Sequence, residues 1–140
     1  MFLLDTNVIS ELRRAGRCDP NVAAWVARQP NAILFISTIT LMELEIGVLR
    51  IERRDATQGA MLRTWLTQQV RPGFRGRALP VDEEVASRCA QLHVPDPRPE
   101  RDALIAATAL AHGMAFVTRN VGDFVRTGVP LVNPWEPTAA

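Results

Sequence analysis

The chain has 140 residues, of which 47% are hydrophobic, and its 16 basic and 15 acidic side chains leave a formal net charge of +1. This length predicts a single domain over residues 1–140 with an adequate apolar core, and the balanced charge argues against bulk electrostatic capture of nucleic acid, while leaving room for a local basic patch. All 16 basic residues are arginine, which excludes Schiff-base chemistry and a P-loop lysine.

Short apolar runs and helical repeats are predicted to alternate along the chain. An apolar or β-branched run between polar residues indicates a strand, and apolar residues at intervals of three and four indicate a helix. Pro72 and Gly73 are expected to break the chain, and the proline-rich stretch 94–101 to form a loop. In chain order we predict a strand at 2–5, a helix at 7–14, a helix from Pro20, a strand at 33–37, helices at 40–54 and 56–70, a strand at 77–81, helices at 82–92 and 102–112, and strands at 115–118 and 129–132.

This alternation is typical of an α/β fold with a mostly parallel central sheet covered by helices on both faces, a three-layer α/β/α sandwich. Such sheets bind ligands outside the carboxyl ends of their strands. We therefore expect the functional residues at the ends of the predicted strands.

The cysteines and the N-terminal segment bear on where the protein works. Cys18 and Cys89 lie far apart without a C-x-x-C pattern, so we expect reduced thiols with no redox or zinc role. The apolar start, which ends at Asp5, lacks the basic segment and longer apolar stretch of a signal peptide. The longest apolar run, 103–111, is about half the ~18 residues of a membrane span. We therefore predict a soluble, cytoplasmic protein without a membrane partner.

Acidic residues follow several of the predicted strands. Asp5 closes the first strand, Glu43 lies one turn into the helix after the second, and Asp102 opens an Ala-rich helix. Asp123 follows the strand at 115–118. Asp82 occupies a similar junction and is expected to be a helix N-cap, so position alone does not separate a site acid from a capping acid.

Each of these acids also has a purely structural interpretation. Asp5 and Asp102 are suitable N-caps, and Glu43 three residues after Thr40 matches a capping box. Asp123 lies in the turn-like string Asn-Val-Gly-Asp. An acid directly after an apolar strand is more often functional, which favours a site role for Asp5.

A cluster of these carboxylates predicts a metal site. Three or four carboxylates at one edge repel one another and raise each other's pKa, and a divalent cation removes that repulsion. Oxygen ligands without His or Cys nearby favour Mg²⁺ or Mn²⁺. Such a site polarises a phosphoryl oxygen and lowers the pKa of a bound water, which suits phosphodiester hydrolysis.

Four sequence segments occur in an order that is characteristic of a known family. They are residues 2–12 (FLLDTNVISEL), 36–47 (ISTITLMELEIG), 102–109 (DALIAATA) and 118–124 (TRNVGDF), the last followed by NPW at 133–135. The ordered set resembles PIN-domain ribonucleases, in particular the VapC-type toxins of bacterial toxin–antitoxin pairs, and its last segment is similar to the FitB-like branch.

The resemblance implies a PIN-like α/β/α sandwich and a set of catalytic acids. It carries over Asp5 and Asp102 as the main metal ligands, with Glu43 and Asp123 completing the catalytic cluster. The chain departs from the pattern at Asn120, where many PIN domains have Asp. The available acid is Asp123, three residues later, which puts the fourth ligand and a second metal in question.

The implied reaction is metal-assisted attack of water on an RNA phosphodiester, with Mg²⁺ or Mn²⁺ as cofactor. Glu43 would orient metal-bound waters or act as general base. Arg119 could hold a phosphate bidentately, or could instead pair with a neighbouring acid, Asp123. The predicted RNA-binding residues are Thr6, Asn7, Arg119 and Asn120.

Two groups of arginines are further candidates for RNA contact. Arg50, Arg53 and Arg54 end a predicted helix, where they would complement its dipole. Arg71, Arg75 and Arg77 flank the Pro-Gly segment, and we expect these loop arginines to be the better RNA candidates.

The resemblance also implies protein partners, namely a cognate antitoxin that blocks the acidic site and a second copy in a homodimer. An apolar groove between the first helices and the hairpin from Met42 to Trp65 is a plausible docking surface. Met42, Met61 and Trp65 could equally belong to the core, and we expect this of at least two of them.

Two other functions are compatible with parts of the pattern. A phosphatase with Asp5 as nucleophile usually needs a second acid two residues on and a lysine, whereas position 7 is Asn and the chain has no Lys. A PIN-like scaffold that is catalytically inactive and only binds a partner is compatible with the departure at Asn120. Metal-dependent RNA cleavage distinguishes the scaffold from the nuclease.

Overall fold

The computed structural model of the protein describes residues 1–14 and 16–137. Within them five strands alternate with seven α-helices. The strands are Phe2–Leu4 (β1), Leu34–Ser37 (β2), Ala78–Leu79 (β3), Ala115–Val117 (β4) and Leu131–Val132 (β5). The helices are Thr6–Leu12 (α1), Pro20–Ala27 (α2), Thr38–Arg54 (α3), Ala56–Trp65 (α4), Arg71–Gly73 (α5), Glu83–Leu92 (α6) and Glu100–Ala111 (α7).

The strands form one parallel sheet in the order β3-β2-β1-β4-β5. Phe2 is aligned with Leu34 on one side and with Ala115 on the other, so β1 lies at the centre. The chain builds the sheet outward from β1 in one direction and then in the other. The carboxyl ends of β1 and β4 therefore form the switch point at which such sheets bind ligands.

Alternate residues of the central strands enter different cores. Leu4 and Val117 pack in a cluster with Val8 of α1, whereas their neighbours Leu3 and Phe116 pack with Ile105 of α7. Burial of each such side chain stabilises the fold by roughly 1.5–3 kcal/mol. Helices thus cover both faces of the sheet, which confirms the predicted three-layer α/β/α sandwich.

Two predicted helix starts are wrong. Helix α7 begins at Glu100 after Pro99, so Asp102 lies within its first turn and is not the N-cap. The N-cap of α3 is Ser37, whose Oγ accepts a hydrogen bond from the Ile39 amide at 3.0 Å. Because α3 begins two residues earlier than predicted, Thr40 lies inside the helix and the capping box with Glu43 does not form.

The predicted break at Pro72 and Gly73 coincides with the end of a helical run, which the structure places at Gly73. The chain continues from α4 through a π-helical segment, Leu66–Val70, directly into α5. Pro72 has no backbone N–H to donate, and the helical run ends one residue later, at Gly73. Arg71 therefore lies in the helix, whereas Arg75 and Arg77 follow its end.

The expectation that at least two of Met42, Met61 and Trp65 belong to the core is wrong, because two of them are exposed. Met42 is 41% and Met61 is 63% exposed, whereas Trp65 packs against the core cluster that contains Leu4. The buried stripe of α3 runs through Thr40, Leu44 and Val48, and Met42 lies two residues from that stripe, on the opposite side of the helix.

No helix in the described residues is both long and apolar enough to cross a membrane.

Candidate active site

The carboxyl end of β1 places Asp5 at the switch point of the sheet. Asp5 is the N-cap of α1, and its Oδ1 accepts a hydrogen bond from the Thr6 amide at 2.8 Å. The Asp5 amide donates to the Val117 carbonyl at 2.9 Å, which fixes the residue between β1 and β4. Asp5 is therefore a helix N-cap, as its purely structural interpretation predicts. It also lies at the sheet edge where the topology predicts a ligand site.

Burial makes Asp5 unusually basic for a carboxylate. Asp5 is only 7% exposed to solvent. Burial raises the pKa of Asp5 from 3.8 to about 6, against the opposing effect of hydrogen bonds from Thr118 and Thr6, and the charges of Asp102 and Glu43 raise it further. The three carboxylates therefore lie close enough to interact.

Thr118 contacts Asp5 and is not among the residues that the sequence predicts for the site. Its hydroxyl donates to Asp5 Oδ2 at 2.7 Å and accepts from the Asn120 amide at 3.1 Å. The side-chain nitrogen Nδ2 of Asn7 lies 3.4 Å from the hydroxyl oxygen of Thr118. Thr118 is fully buried at the end of β4, and a hydroxyl directly after an apolar strand is the signal that could have identified it.

Glu43 reaches the site from α3 and is held by Thr6. The Thr6 hydroxyl donates to Glu43 Oε1 at 2.6 Å, and the Thr40 hydroxyl lies 3.2 Å from Thr6 Oγ1. The second carboxylate oxygen, Oε2, lies 3.8 Å from a guanidinium nitrogen of Arg101. Thr6 therefore orients Glu43 toward the carboxylates at the sheet edge.

Asp102 approaches the cluster from the first turn of α7. Burial raises the pKa of Asp102, and the charges of Glu43 and Asp123 raise it further. Asp102 is half-buried, so repulsion from the neighbouring acids acts through a medium that screens it less than water does. This environment favours a positive charge beside Asp102.

Asp123 stands apart from the other three acids. It is exposed at the end of a short 3₁₀ helix, Val121–Asp123, and it lines a separate cavity of about 220 Å³. Asp102 lines this cavity too and forms the wall between it and the main one. Asp123 thus interacts with the cluster through Asp102.

The main cavity, about 480 Å³ in volume, joins the acids to a cationic rim. Arg14 on the rim pairs with Glu11 at 3.5 Å. Arg13 and Arg119 form no ion pair with any acid in the described part of the chain. The cavity is lined by Asp5, Thr6, Asn7, Ser10, Glu11, Arg13, Arg14, Glu43, Asp102, Arg119, Asn120 and Trp135.

Arg119 does not pair with Asp123, so that alternative is wrong. Its guanidinium lies over the ring of Trp135, 5.3 Å from the ring centroid. Its amide lies 3.5 Å from Asn7 Oδ1. The predicted RNA-binding residues Thr6, Asn7, Arg119 and Asn120 all line the main cavity.

The arginines near Pro72 are less available than predicted. The Arg77 guanidinium donates to the backbone carbonyls of Asn31, Leu34 and Gly73. Arg71 lies 3.5 Å from Glu45. Arg77 therefore holds together the segments around β2 and β3, and the expectation that it is a free RNA-binding group is wrong.

A second group of side chains resembles a metal site in spacing but not in chemistry. Ligand atoms of Cys89, His93 and Glu100 lie within 4.8 Å of one another. However, His93 Nδ1 accepts a hydrogen bond from the Arg98 amide at 3.1 Å, so the ring proton of the neutral histidine is on Nε2. A protonated Nε2 has no lone pair for a metal. We therefore keep the prediction that Cys89 has no zinc role.

Comparison with known proteins identifies the chain's relatives. The family model described as "PIN domain" matches residues 2–129. The VapC ribonuclease Y4jK of Sinorhizobium fredii is 37% identical over 145 residues, which cover 98% of this chain and 99% of that protein. The toxin FitB of Neisseria gonorrhoeae is 37% identical over 142 residues, which cover 96% of this chain and 99% of FitB.

A solved structure resembles the whole chain. The structure of FitAB bound to an IR36 DNA fragment contains a chain that superposes with a TM-score of 0.90 at 35% identity, covering 99% of both chains. The likeness therefore includes the strand ends and helix starts from which the acidic cavity is built.

Proposed function

This chain belongs to the PIN-domain family, and from that premise we propose that it is a metal-dependent endoribonuclease that acts as the toxin of a toxin–antitoxin pair. The names of the ribonuclease and toxin relatives support this function. The observation that carries it for this chain is the acidic cavity itself, which Asp5, Glu43 and Asp102 line together and in which the pKa of Asp5 and of Asp102 is raised.

The donor set of this cavity fits a hard divalent cation. It consists of carboxylates and hydroxyls, with neither His nor Cys among its lining residues, and oxygen donors of this kind favour Mg²⁺ or Mn²⁺. The carboxylates are costly to ionise together, so a bound cation would relieve their repulsion. We propose that Asp5 and Asp102 hold the metal, with Asp123 supporting Asp102 from the neighbouring cavity.

The residues around the metal position have distinct proposed roles. When bound, a divalent cation supplies polarisation of the phosphoryl oxygen and a lowered pKa for water. Glu43, with Oε1 held by Thr6, accepts a proton from the attacking water or orients it through Oε2. Thr118 fixes the orientation of the Asp5 carboxylate.

RNA would enter along the cationic side of the cavity. Arg119 offers paired N–H donors to a phosphate. The polar groups of Thr6, Asn7 and Asn120, which line the same cavity, contact the ribose or the phosphate. Separate acidic and cationic sides suit this reaction because metal and phosphate then occupy adjacent positions.

The proposed partner proteins are an antitoxin and a second copy of the chain. A groove of about 440 Å³ between α1, α3 and α4 is lined by apolar groups that include Leu44, Val48 and Trp65. Thr6 and Glu43 line both this groove and the acidic cavity. An antitoxin segment in the groove would therefore reach the catalytic acids. The homodimer and the cytoplasmic location stay predictions.

Cleavage of total RNA tests the proposed function. Purified protein free of antitoxin is incubated with Mg²⁺, with Mn²⁺ or with EDTA, and wild type is compared with Asp102→Asn. We expect discrete fragments that require a divalent metal and disappear in Asp102→Asn. The matched control is Asp82→Asn, which changes an acid outside the cavity and should cleave like wild type. Absence of cleavage by folded wild type with either metal would favour the inactive scaffold.

A further inference from the structure

The indole ring of Trp135 contacts the side chain of Arg119, which lies two residues after the end of β4. The guanidinium of Arg119 lies over this ring, 5.3 Å from its centroid. Both side chains line the acidic cavity. We propose that Trp135 is a positioning residue, which holds Arg119 as a fork for an RNA backbone phosphate; the inference rests on the proposed function.

Trp135 is itself fixed in place by the body of the protein. Its carbonyl accepts a hydrogen bond from Asn21 Nδ2 at 2.9 Å, and its amide donates to Asn133 Oδ1 at 3.0 Å. The ring packs against the core cluster that contains Leu4 and Trp25. The aromatic surface beneath Arg119 is therefore a rigid part of the fold, although it comes from the chain's C-terminal segment.

The contact with Trp135 leaves the guanidinium able to bind a phosphate. A cation over an aromatic ring is attracted by the electrons of the ring face, and this contact pairs the guanidinium with no oxygen acceptor. Its N–H groups therefore stay available for two parallel bonds to phosphate oxygens. Arg119 forms no ion pair with an acid in the described residues, whereas Arg14 on the same rim pairs with Glu11. The Trp135 contact therefore limits the orientations of Arg119 while its charge stays available.

The Trp–Arg pair predicts a distinctive substitution pattern. Trp135→Phe keeps an aromatic face and should keep the phosphate contact. Trp135→Leu removes the face and should weaken RNA binding through Arg119. Because both substitutions act on one contact, Arg119→Gln combined with Trp135→Leu should cost no more affinity than Arg119→Gln alone.

Binding is measured without cleavage, by fluorescence anisotropy of a labelled single-stranded RNA. All variants carry Asp102→Asn and are assayed in EDTA at several salt concentrations. We expect Trp135→Leu and Arg119→Gln each to raise Kd about tenfold, the effect of a lost charged hydrogen bond. We expect the slope of log K against log salt to fall by about 0.7 for one lost phosphate contact on a single strand.

Controls separate positioning from general loss of structure or charge. Arg88→Gln removes an exposed arginine of α6, outside the cavity, and should leave the Kd near that of the parent. Thermal unfolding checks each variant. If Trp135→Leu does not fold, Asn21→Ala replaces it, since this change releases the carbonyl that anchors Trp135 and should likewise act only through Arg119.

Two results would overturn the inference. The first is RNA binding by folded Trp135→Leu with an unchanged Kd and salt slope. The second is a loss that adds in full to that of Arg119→Gln. If wild type cleaves RNA in either case, the proposed function stands and only the role of Trp135 is wrong; if wild type neither binds nor cleaves RNA, both proposals are wrong.

Discussion

Asp5 is held by hydrogen bonds that favour its charged form, in a position whose burial disfavours that form. Thr6 and Thr118 donate to its two oxygens, yet burial outweighs them and raises its pKa to about 6. The neighbouring carboxylates add to this effect. In the metal-free protein, ionisation of the Asp5 carboxylate at neutral pH therefore lowers the free energy of unfolding.

The pH dependence of stability should reveal this cost. The folded state binds the Asp5 proton more tightly than the unfolded chain, so in EDTA the free energy of unfolding falls as pH rises from 3.8 to about 6. The penalty above this range is about 3 kcal/mol, at 1.36 kcal/mol for each pH unit. Asp5→Asn lacks it and should be the more stable protein at pH 7, by urea unfolding.

The same comparison near pH 4 is the control. There Asp5 is largely protonated in the folded protein, so wild type and Asp5→Asn should approach one another in stability. Mg²⁺ or Mn²⁺ at pH 7 should stabilise wild type more than Asp5→Asn. Stability curves that run parallel from pH 4 to 7 would contradict a raised pKa at Asp5.

At the scale of elements, the contact between α3 and α4 depends on one glycine. A Cβ atom on Gly59 would lie 2.6 Å from the Cα of Glu52. The same pair of helices is joined by ion pairs from Arg63 to Glu45 and Glu52. Gly59 therefore sets how closely α4 approaches the helix that carries Glu43.

Gly59→Ala should destabilise the fold, because backbone atoms of α3 must move to admit the methyl group. We expect a loss of about 1–3 kcal/mol, the usual range for overpacking, measured by urea unfolding. Gly47→Ala is the matched control: it lies within α3, and its Cβ would meet nothing within 4 Å. It should stabilise by roughly 0.5–1 kcal/mol. Equal effects of the two substitutions would contradict the close approach at Gly59.

Helix α6 begins with a cap that is independent of the site. Asp82 accepts a hydrogen bond from the Val85 amide at 2.9 Å, as predicted from the sequence. Asp82→Ala should cost about 1 kcal/mol of stability and leave RNA cleavage unchanged, whereas Asp82→Asn should keep most of the cap. Unfolding and cleavage assays on the two variants check this. A loss of cleavage in folded Asp82→Ala would contradict a purely structural role for Asp82.

At the scale of the whole molecule, the sequence predicted the order of strands and helices better than it predicted the residues at which helices begin. Alternating apolar runs predicted the three-layer sandwich, because a strand buried on both faces leaves a clear pattern. Asp102 was misassigned as a cap because Pro99 begins α7 earlier. The expectation that at least two of Met42, Met61 and Trp65 lie in the core is wrong, because single apolar side chains are also common on the exposed face of a helix.

The acids of the site were predictable from the sequence, whereas the residues that hold them or their neighbours in place were not. Asp5, Glu43 and Asp102 were identified and line one cavity. The roles of Thr118 and Trp135 depend on contacts across 113 and 114 residues of sequence, to Asp5 and Asn21 respectively, and no local pattern encodes such pairs. The extent of the domain, 1–140, and the roles of the site residues stay predictions.

The balanced overall charge conceals a separation that the fold creates. A net charge of +1 gave no indication of a binding site, yet the cavity has carboxylates at the sheet edge and arginines on its rim. Local separation of charge, more than the total, supports a metal beside a phosphate.

A single titration tests the central proposal, which is that Asp5 and Asp102 hold the metal required for RNA cleavage. Mn²⁺ is added to wild type, to Asp5→Asn and to Asp82→Asn, and bound Mn²⁺ (by electron paramagnetic resonance) and the rate of RNA cleavage are measured in the same samples. We predict that the rate rises in proportion to occupied sites in wild type and Asp82→Asn, and that Asp5→Asn loses both. Cleavage by Asp5→Asn at the wild-type rate, or cleavage at Mn²⁺ concentrations that leave the site empty, would contradict it.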